Sequence, residues 1–204
     1  MSDYITEQEL LDYIKSGANL GNSVTQGAIT AASRAVEAHC GRIFYQRAAT
    51  TLYYSPATQD GPIYIDDLAT TASLAVRTDD GTGTYGTLLT INTHFILEPR
   101  NQQFGGQAGW PYMSIRGLAA LTFPLRYYAW QPDTVKVTGT FGWAAVPEDV
   151  KQATKIIAAQ YVKLADAPLG VAGWGAYGDI RVRDIPQAST LLAPYRKGTS
   201  FGIA

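Results

Sequence analysis

Two helix-patterned segments, each without an apolar partner nearby in sequence, constrain this fold more than any other feature. The later one lies within Val135 to Leu169, which reads VKVTGTFGWAAVPEDVKQATKIIAAQYVKLADAPL. A β-rich segment ends there at Phe141-Gly142-Trp143, and Pro147-Glu148-Asp149 opens a long helix. Proline suits the first helical turn because its missing N–H would be unpaired there anyway. Glu148 and Asp149 sit where the helix dipole favours negative charge. Val150, Ala153, Ile157, Tyr161 and Leu164 recur at helical spacing as one apolar stripe, and Ala167-Pro168-Leu169-Gly170 closes the helix. The earlier segment, Ser23 to Cys40, carries the stripe Ile29, Ala32, Val36 and Cys40 and ends at Gly41. Strand-patterned sequence separates the two. Such a layout predicts an α+β chain: a small helical body with an inserted antiparallel β-sheet or small barrel.

Helices are expected near 6–16, 23–40, 147–165 and 187–195. Residues 1–45 and 144–170 would form the helical body, 46–143 the inserted β domain, and 171–204 a C-terminal arm and docking tail. Thr6-Glu7-Gln8-Glu9 is a capping box, with Leu10, Leu11 and Ile14 as the apolar face of a short helix and Gly17 as its stop. Ser23 would cap the second helix with Gln26 at the reciprocal position, and Arg34 and Glu37 would face outward. The pattern then switches to period two. Thr50 to Tyr54, Pro62 to Ile65, Leu74 to Arg77, Leu88 to Ile91 and Phe95 to Glu98 read as short strands. Asp66-Asp67 and Asp79-Asp80-Gly81 read as turns between them. Gly105, Gly106 and Gly109 mark a loop expected to be mobile. Ser114 to Arg116, Ala120 to Phe123 and Val135 to Thr140 complete the sheet. With no helices between the strands, the sheet should be antiparallel.

Composition excludes several functions. The formal net charge is −1, which leaves no electrostatic footprint for nucleic acid or an anionic membrane. Charged residues make up 16% of the chain, while it holds 13 Tyr and 4 Trp. Tyr and Trp are enriched in protein interfaces and charge is depleted at their cores, so this balance suits a subunit that hides surface in an assembly. The lone Cys40 excludes an internal disulfide framework and reads as a small buried hydrophobe. The N-terminus is acidic where a signal peptide needs basic and apolar runs, and no stretch approaches a membrane helix. The expectation is a soluble protein made in a cytoplasm.

No motif commits the chain to chemistry. Gly81 to Gly86 and Gly173 to Gly178 both match G-x-G-x-x-G. A dinucleotide fingerprint needs a strand before it and a helix after it. The first match precedes a strand and the second follows a helix, so both read as turn glycines. His39 and His94 lack partners at metal-ligand spacing, and the Asp pairs lack the regular calcium-loop spacing. No catalytic residue, metal ligand or cofactor is expected, and no nucleophile constellation supports a hydrolase.

Ile29 to Tyr45, ITAASRAVEAHCGRIFY, resembles head–tail connector proteins of long-tailed double-stranded DNA phages, also called adaptor or head-completion proteins. The resemblance rests on an early helix ending in Cys40-Gly41-Arg42, followed by Ile43-Phe44. Val137 to Trp143, followed by Val146 to Ala153, resembles the family's strand-to-helix junction. Pro168-Leu169-Gly170 and the closing Leu191 to Arg196 also fit. The blocks span about residue 4 to residue 197, and the middle β region adds little. The resemblance implies a virion protein at the head–tail interface. It would form a homo-oligomeric ring, usually of twelve copies, beneath the portal, extend the DNA channel and meet the stopper or tail protein. DNA would pass without specific binding, and there would be no membrane partner.

Partner-binding residues are expected in the C-terminal segment. The glycine-rich run Pro168 to Gly178 reads as a hinge-like arm with Trp174 and Tyr177 as anchors. Ile180, Val182 and Ile185 alternate with Arg181 and Arg183 as a strand that could add to a sheet edge. A short helix opened by Pro186 leads to Tyr195 and Arg196, and the tail ends with Phe201 and Ile203 after Gly198-Thr199-Ser200. The competing function is a carbohydrate- or receptor-binding β module, with Trp110, Tyr112, Tyr127, Tyr128 and Trp130 as an aromatic platform.

Overall fold

The computed structural model describes residues 2–15, 22–79, 81–118, 121–125, 133–166 and 185–197. The chain divides into two compact units, one of residues 1–44 with 146–204 and one of residues 45–145.

The first unit is helical: α1 (Glu7–Ile14), α2 (Asn22–Cys40), α3 (Glu148–Asp166) and α4 (Pro186–Leu192), the last continuing as a 3₁₀ turn over Ala193–Tyr195. The Thr6 capping box is present. The Glu9 amide donates to Thr6 Oγ1 (3.2 Å), and the Thr6 amide donates to Glu9 Oε2 (2.7 Å). That second bond, above all, holds the Glu9 carboxyl below the usual glutamate range. The left-handed residue after α1 is Lys15, two positions before the expected Gly17, which lies outside the described residues.

Both helical stripes are buried, and α2 packs along α3. Ile29, Ala32 and Val36 on α2 and Val150, Ala153 and Ile157 on α3 have essentially no exposed surface. The α3 stripe departs from expectation in its last turns. Ala158 and Val162 are buried, Tyr161 is half-buried and Leu164 is 39% exposed. The buried row instead runs Val150, Thr154, Ala158 and Val162 at i, i+4 spacing, which winds about 40° around the helix per step. Buried Ser33 and Thr154 satisfy their hydroxyls by donating to the carbonyls four residues back, Ile29 (2.9 Å) and Val150 (2.7 Å).

Arg34, Glu37 and Gln26 are not outward-facing or capping groups. Gln26 Nε2 donates to Asp3 Oδ2 (2.7 Å), and Arg34 donates to the Ser2 carbonyl (2.8 Å) while pairing with Glu37 (3.0 Å). They bind the N-terminal segment along α2, a role that local spacing cannot reveal.

The second unit is an open, six-stranded antiparallel sheet, not a closed barrel. Its strands are β1 (Thr50–Tyr54), β2 (Ile63–Thr78), β3 (Thr87–Leu89), β4 (Phe95–Glu98), β7 (Tyr112–Gly117) and β8 (Val135–Phe141). The order is β1-β8-β2-β7-β4, with β3 also on β2. β5 (Gln103–Phe104) and β6 (Gln107–Ala108) form a separate hairpin. Its Gly105-Gly106 turn has positive φ at both residues (57° and 81°), as a two-residue type I′ turn requires. A tight hairpin therefore stands where a loop was expected.

β2 is one strand where the sequence suggests two. Asp66-Asp67 does not turn the chain, because its partners are distant. The Trp143 indole N–H donates to buried Asp67 Oδ2 (3.1 Å), and the Asp66 amide donates to the Tyr54 hydroxyl (3.1 Å). The register of β2 shifts against β7 between Tyr64 and Leu68, which moves the core-facing positions from Ile63 and Ile65 to Leu68 and Val76, and against β8 it shifts between Leu68 and Thr70 and between Thr70 and Ala75. Residues 121–123 form no strand, but Phe123 is buried and its amide donates to the Gln59 carbonyl (3.1 Å). The core takes alternate residues, such as Ile63 and Ile65, Phe95 and Leu97, and Val135 and Val137.

Substitutions at two positions test these units. Ile157→Val should lower stability by about 1 kcal/mol, whereas Ile157→Asp should leave the helical unit unfolded in a circular-dichroism melt, because it buries an unpaired charge. Gly142 has φ +107°, and a Cβ there would lie 1.9 Å from the Tyr45 carbonyl oxygen. Gly142→Ala should therefore cost more than the ~1–2 kcal/mol of a left-handed residue alone. The readout is the denaturant midpoint, and an unchanged midpoint would contradict the close approach.

Candidate assembly surface

The Cys40-Gly41-Arg42-Ile43-Phe44 segment is where the helical unit ties its ends together. Gly41 takes φ +64°, the left-handed conformation that stops α2, and its amide still donates to the Glu37 carbonyl (2.8 Å). Phe44 is fully buried between two rings, edge-on to Tyr4 at 5.8 Å and to Tyr195 at 5.8 Å. The Tyr4 hydroxyl donates to Glu37 Oε1 (2.7 Å) and accepts the Phe44 amide (3.0 Å). Burial pushes the Tyr4 phenol well above its usual range, so it stays protonated and can donate. Arg42 is buried as well.

Two expected partner residues lie in the described part, and they differ in role. Tyr195 is 3% exposed, and its hydroxyl donates to Asp149 Oδ2 (3.3 Å) on α3. It is a core residue of the helical unit, which corrects its assignment as a partner contact. Ile185, Ala188 and Leu192 are buried with it, so α4 is packed on α3 rather than held out as an arm. Arg196 is exposed. Lys197 follows with its amide donating to the Cys40 carbonyl (2.8 Å), so the last described residue is fastened to the C-terminal end of α2. Trp174, Tyr177, Ile180, Arg181, Val182, Arg183, Phe201 and Ile203 lie outside the described residues, as do Gly173 to Gly178.

Exposed large apolar side chains mark other candidates that the sequence reading missed. They are Tyr13, Val24 and Leu164 on the helical unit and Tyr53, Tyr64, Leu88 and Phe104 on the β unit. Tyr64 stands between buried Ile63 and Ile65, so its exposure follows only from the strand register.

The aromatic platform is overturned at its first member. Trp110 is 1% exposed and packs against Phe104 and Trp143, each ring tilted to it at a centroid distance of 4.9 Å. Tyr112 is half-buried, and Tyr127, Tyr128 and Trp130 lie outside the described residues. Gly81 and Gly83 are turn glycines at positive φ, with the Gly83 amide donating to Asp79 Oδ1 (2.8 Å). His94 Nδ1 accepts the Thr90 amide (2.8 Å), a structural role. Among the described residues no cluster of three His, Cys, Asp or Glu could hold a metal, and no helix is long and apolar enough to cross a membrane.

Two solved structures of gene transfer agent particles contain chains with this fold. One is the neck of an empty particle computed with C6 symmetry, matched with a TM-score of 0.57 and 18% identity over 98% of this chain and 92% of that one. The other is the virion of a native particle, matched with a TM-score of 0.56 and 21% identity over 98% and 92%. At such identities the likeness is one of fold. No protein-family model matches the chain, and no curated protein matches it.

Burial pushes the Cys40 thiol up to about 12. Thiol reagents act on the thiolate, so the native protein should resist alkylation at pH 8 and label fully in denaturant. Rapid native labelling would show that Cys40 is not held in the α2 core.

Proposed function

We propose that this chain is a structural protein of the head–tail neck of a phage-like virion. In this reading copies of the chain form a ring beneath the portal, extend the DNA channel and present a surface to the stopper or tail. The carrying observation is the fold shared over 98% of this chain with a chain of a gene transfer agent neck. The sixfold symmetry of that neck is compatible with a ring of twelve, since a twelvefold axis contains a sixfold one. A formal net charge of −1 fits a channel wall along which DNA slides, because a basic wall would hold phosphates through counterion release. The chain works by binding and shape, without catalysis.

The docking element is proposed to be the C-terminal segment: Arg196 and the tail with Phe201 and Ile203, together with the arm carrying Trp174 and Tyr177 and the strand-patterned Ile180 to Arg183. The tail starts at the clamp between Lys197 and Cys40, which supports a rigid point of departure.

Particles assembled without this protein should contain packaged heads that lack tails, seen by electron microscopy. Supplying the full chain should restore tails. A chain ending at Lys197 should stay folded, with its clamp intact, yet restore few or none. Normal tail attachment without the protein would overturn the neck reading, and normal attachment by the truncated chain would overturn the docking role of the tail.

A further inference from the structure

The two sides of the β-sheet are finished differently. β4 is followed at once by Pro99, its Glu98 is held by Arg116 (2.9 Å), and its Phe95 carbonyl accepts the Asn92 amide (2.7 Å). Such features close an edge to further strands. β1 has none of them. It reads TTLYY, without charge or proline, and pairs with β8 in unbroken register from Thr50 to Tyr54. Among the described residues its other side pairs with no strand. β3 is likewise unpaired on its outer side among the described residues.

Register links these two edges. Tyr53 lies opposite Lys136, Lys136 opposite Arg77, and Arg77 opposite Leu88. Directly opposed residues share a face, so this row crosses the sheet from β1 to β3 on one face. Its two ends are exposed apolar side chains, Tyr53 at 49% and Leu88 at 52%. Strand direction links them too. Each neighbouring pair from β1 through β8 and β2 to β3 is antiparallel, so β1 and β3 run in opposite directions. A copy rotated about an axis along the strands brings β3 beside β1 in antiparallel sense. β4 runs parallel to β1 and does not continue the alternation. The two edges differ, so the contact is heterologous, the kind that closes into a ring.

We propose that the β1 edge of one copy pairs with the β3 edge of the next, so that Tyr53 meets the neighbour's Leu88 in a sheet that runs from subunit to subunit. The proposal rests on the ring reading above and supplies its subunit contact. Opposed Cβ atoms in such a pair lie about 4.5–5.5 Å apart, close to the reach of a disulfide. Cys40 is buried and gives no background.

The test is the full chain carrying Tyr53→Cys and Leu88→Cys, incorporated into particles and oxidised. The expected result is a ladder of covalent multimers on a non-reducing gel, with monomers alone from each single variant. Dimers from Tyr53→Cys alone would overturn the proposal in favour of a twofold β1–β1 pairing. A cross-link from Tyr53→Cys to Val182→Cys would overturn it by giving the edge to the strand-patterned segment 179–185. A ring in the neck with no ladder overturns the edge contact and leaves the ring reading standing. Absence of the chain from the neck overturns both. Independently, Tyr53→Glu, which faces Lys136 within its own sheet, should lower incorporation about tenfold, and Leu88→Lys in the same chain should restore it. Unchanged incorporation of Tyr53→Glu would overturn the proposal.

Discussion

The pairing of α2 with α3 is the contact on which the helical unit depends, and the long stretch of chain between them decides how it can form. Closing a flexible loop of about a hundred residues costs roughly 4 kcal/mol in chain entropy, before any constant term. The burial of Ile29, Val36, Val150 and Ile157 can exceed that, at about 1.5–3 kcal/mol for each large apolar side chain. The β unit also lowers the cost. Its own ends lie together: the Arg47 amide donates to the Phe141 carbonyl (2.9 Å), and Gly142 lies against the Tyr45 carbonyl. Once the sheet is folded, the chain leaves it close to where it came in, and the loop to be closed is effectively short. This is the usual condition under which a domain can be inserted into another.

Local chemistry was legible where an element carries its own instructions. The Thr6–Glu9 capping box, the Gly41 stop, the first turns of the α3 stripe and Pro186 at the start of α4 all work through neighbours a few residues away, and all appear as expected. Asp66-Asp67 misled because its usual local meaning is a turn, while its partner Trp143 stands 76 residues along the chain. Arg34 and Glu37 misled for the same reason, since the segment they grip lies near the N-terminus. Leu164 misled because the stripe keeps to the helical period while the buried surface winds around α3 to Ala158 and Val162 in its last turns.

The candidate site was less legible than the fold, and the reason is physical. The segment that carries the resemblance, Cys40 to Phe44, consists of a helix stop, a buried arginine and a ring packed between Tyr4 and Tyr195. These residues specify architecture. A likeness built on them transmits a fold and says little about which surface meets a partner. Tyr195 shows the difficulty directly. An aromatic near the C-terminus looks like an anchor for another protein, yet its ring is needed against Phe44 and its hydroxyl against Asp149.

Low charge has a second consequence for such a chain. With 16% charged residues, few like-charge contacts are available to reject wrong neighbours. Specificity must then come from shape, hydrogen-bond direction and register. The β-sheet has those properties. Its β4 side is closed by proline and by an ion pair, and its β1 side is plain. The β1 and β3 edges, by contrast, run in opposite directions, as an antiparallel pair between copies requires. In the proposed contact a one-residue slip would set the neighbour's Leu88 on the opposite face from Tyr53, so register itself would reject a misplaced copy.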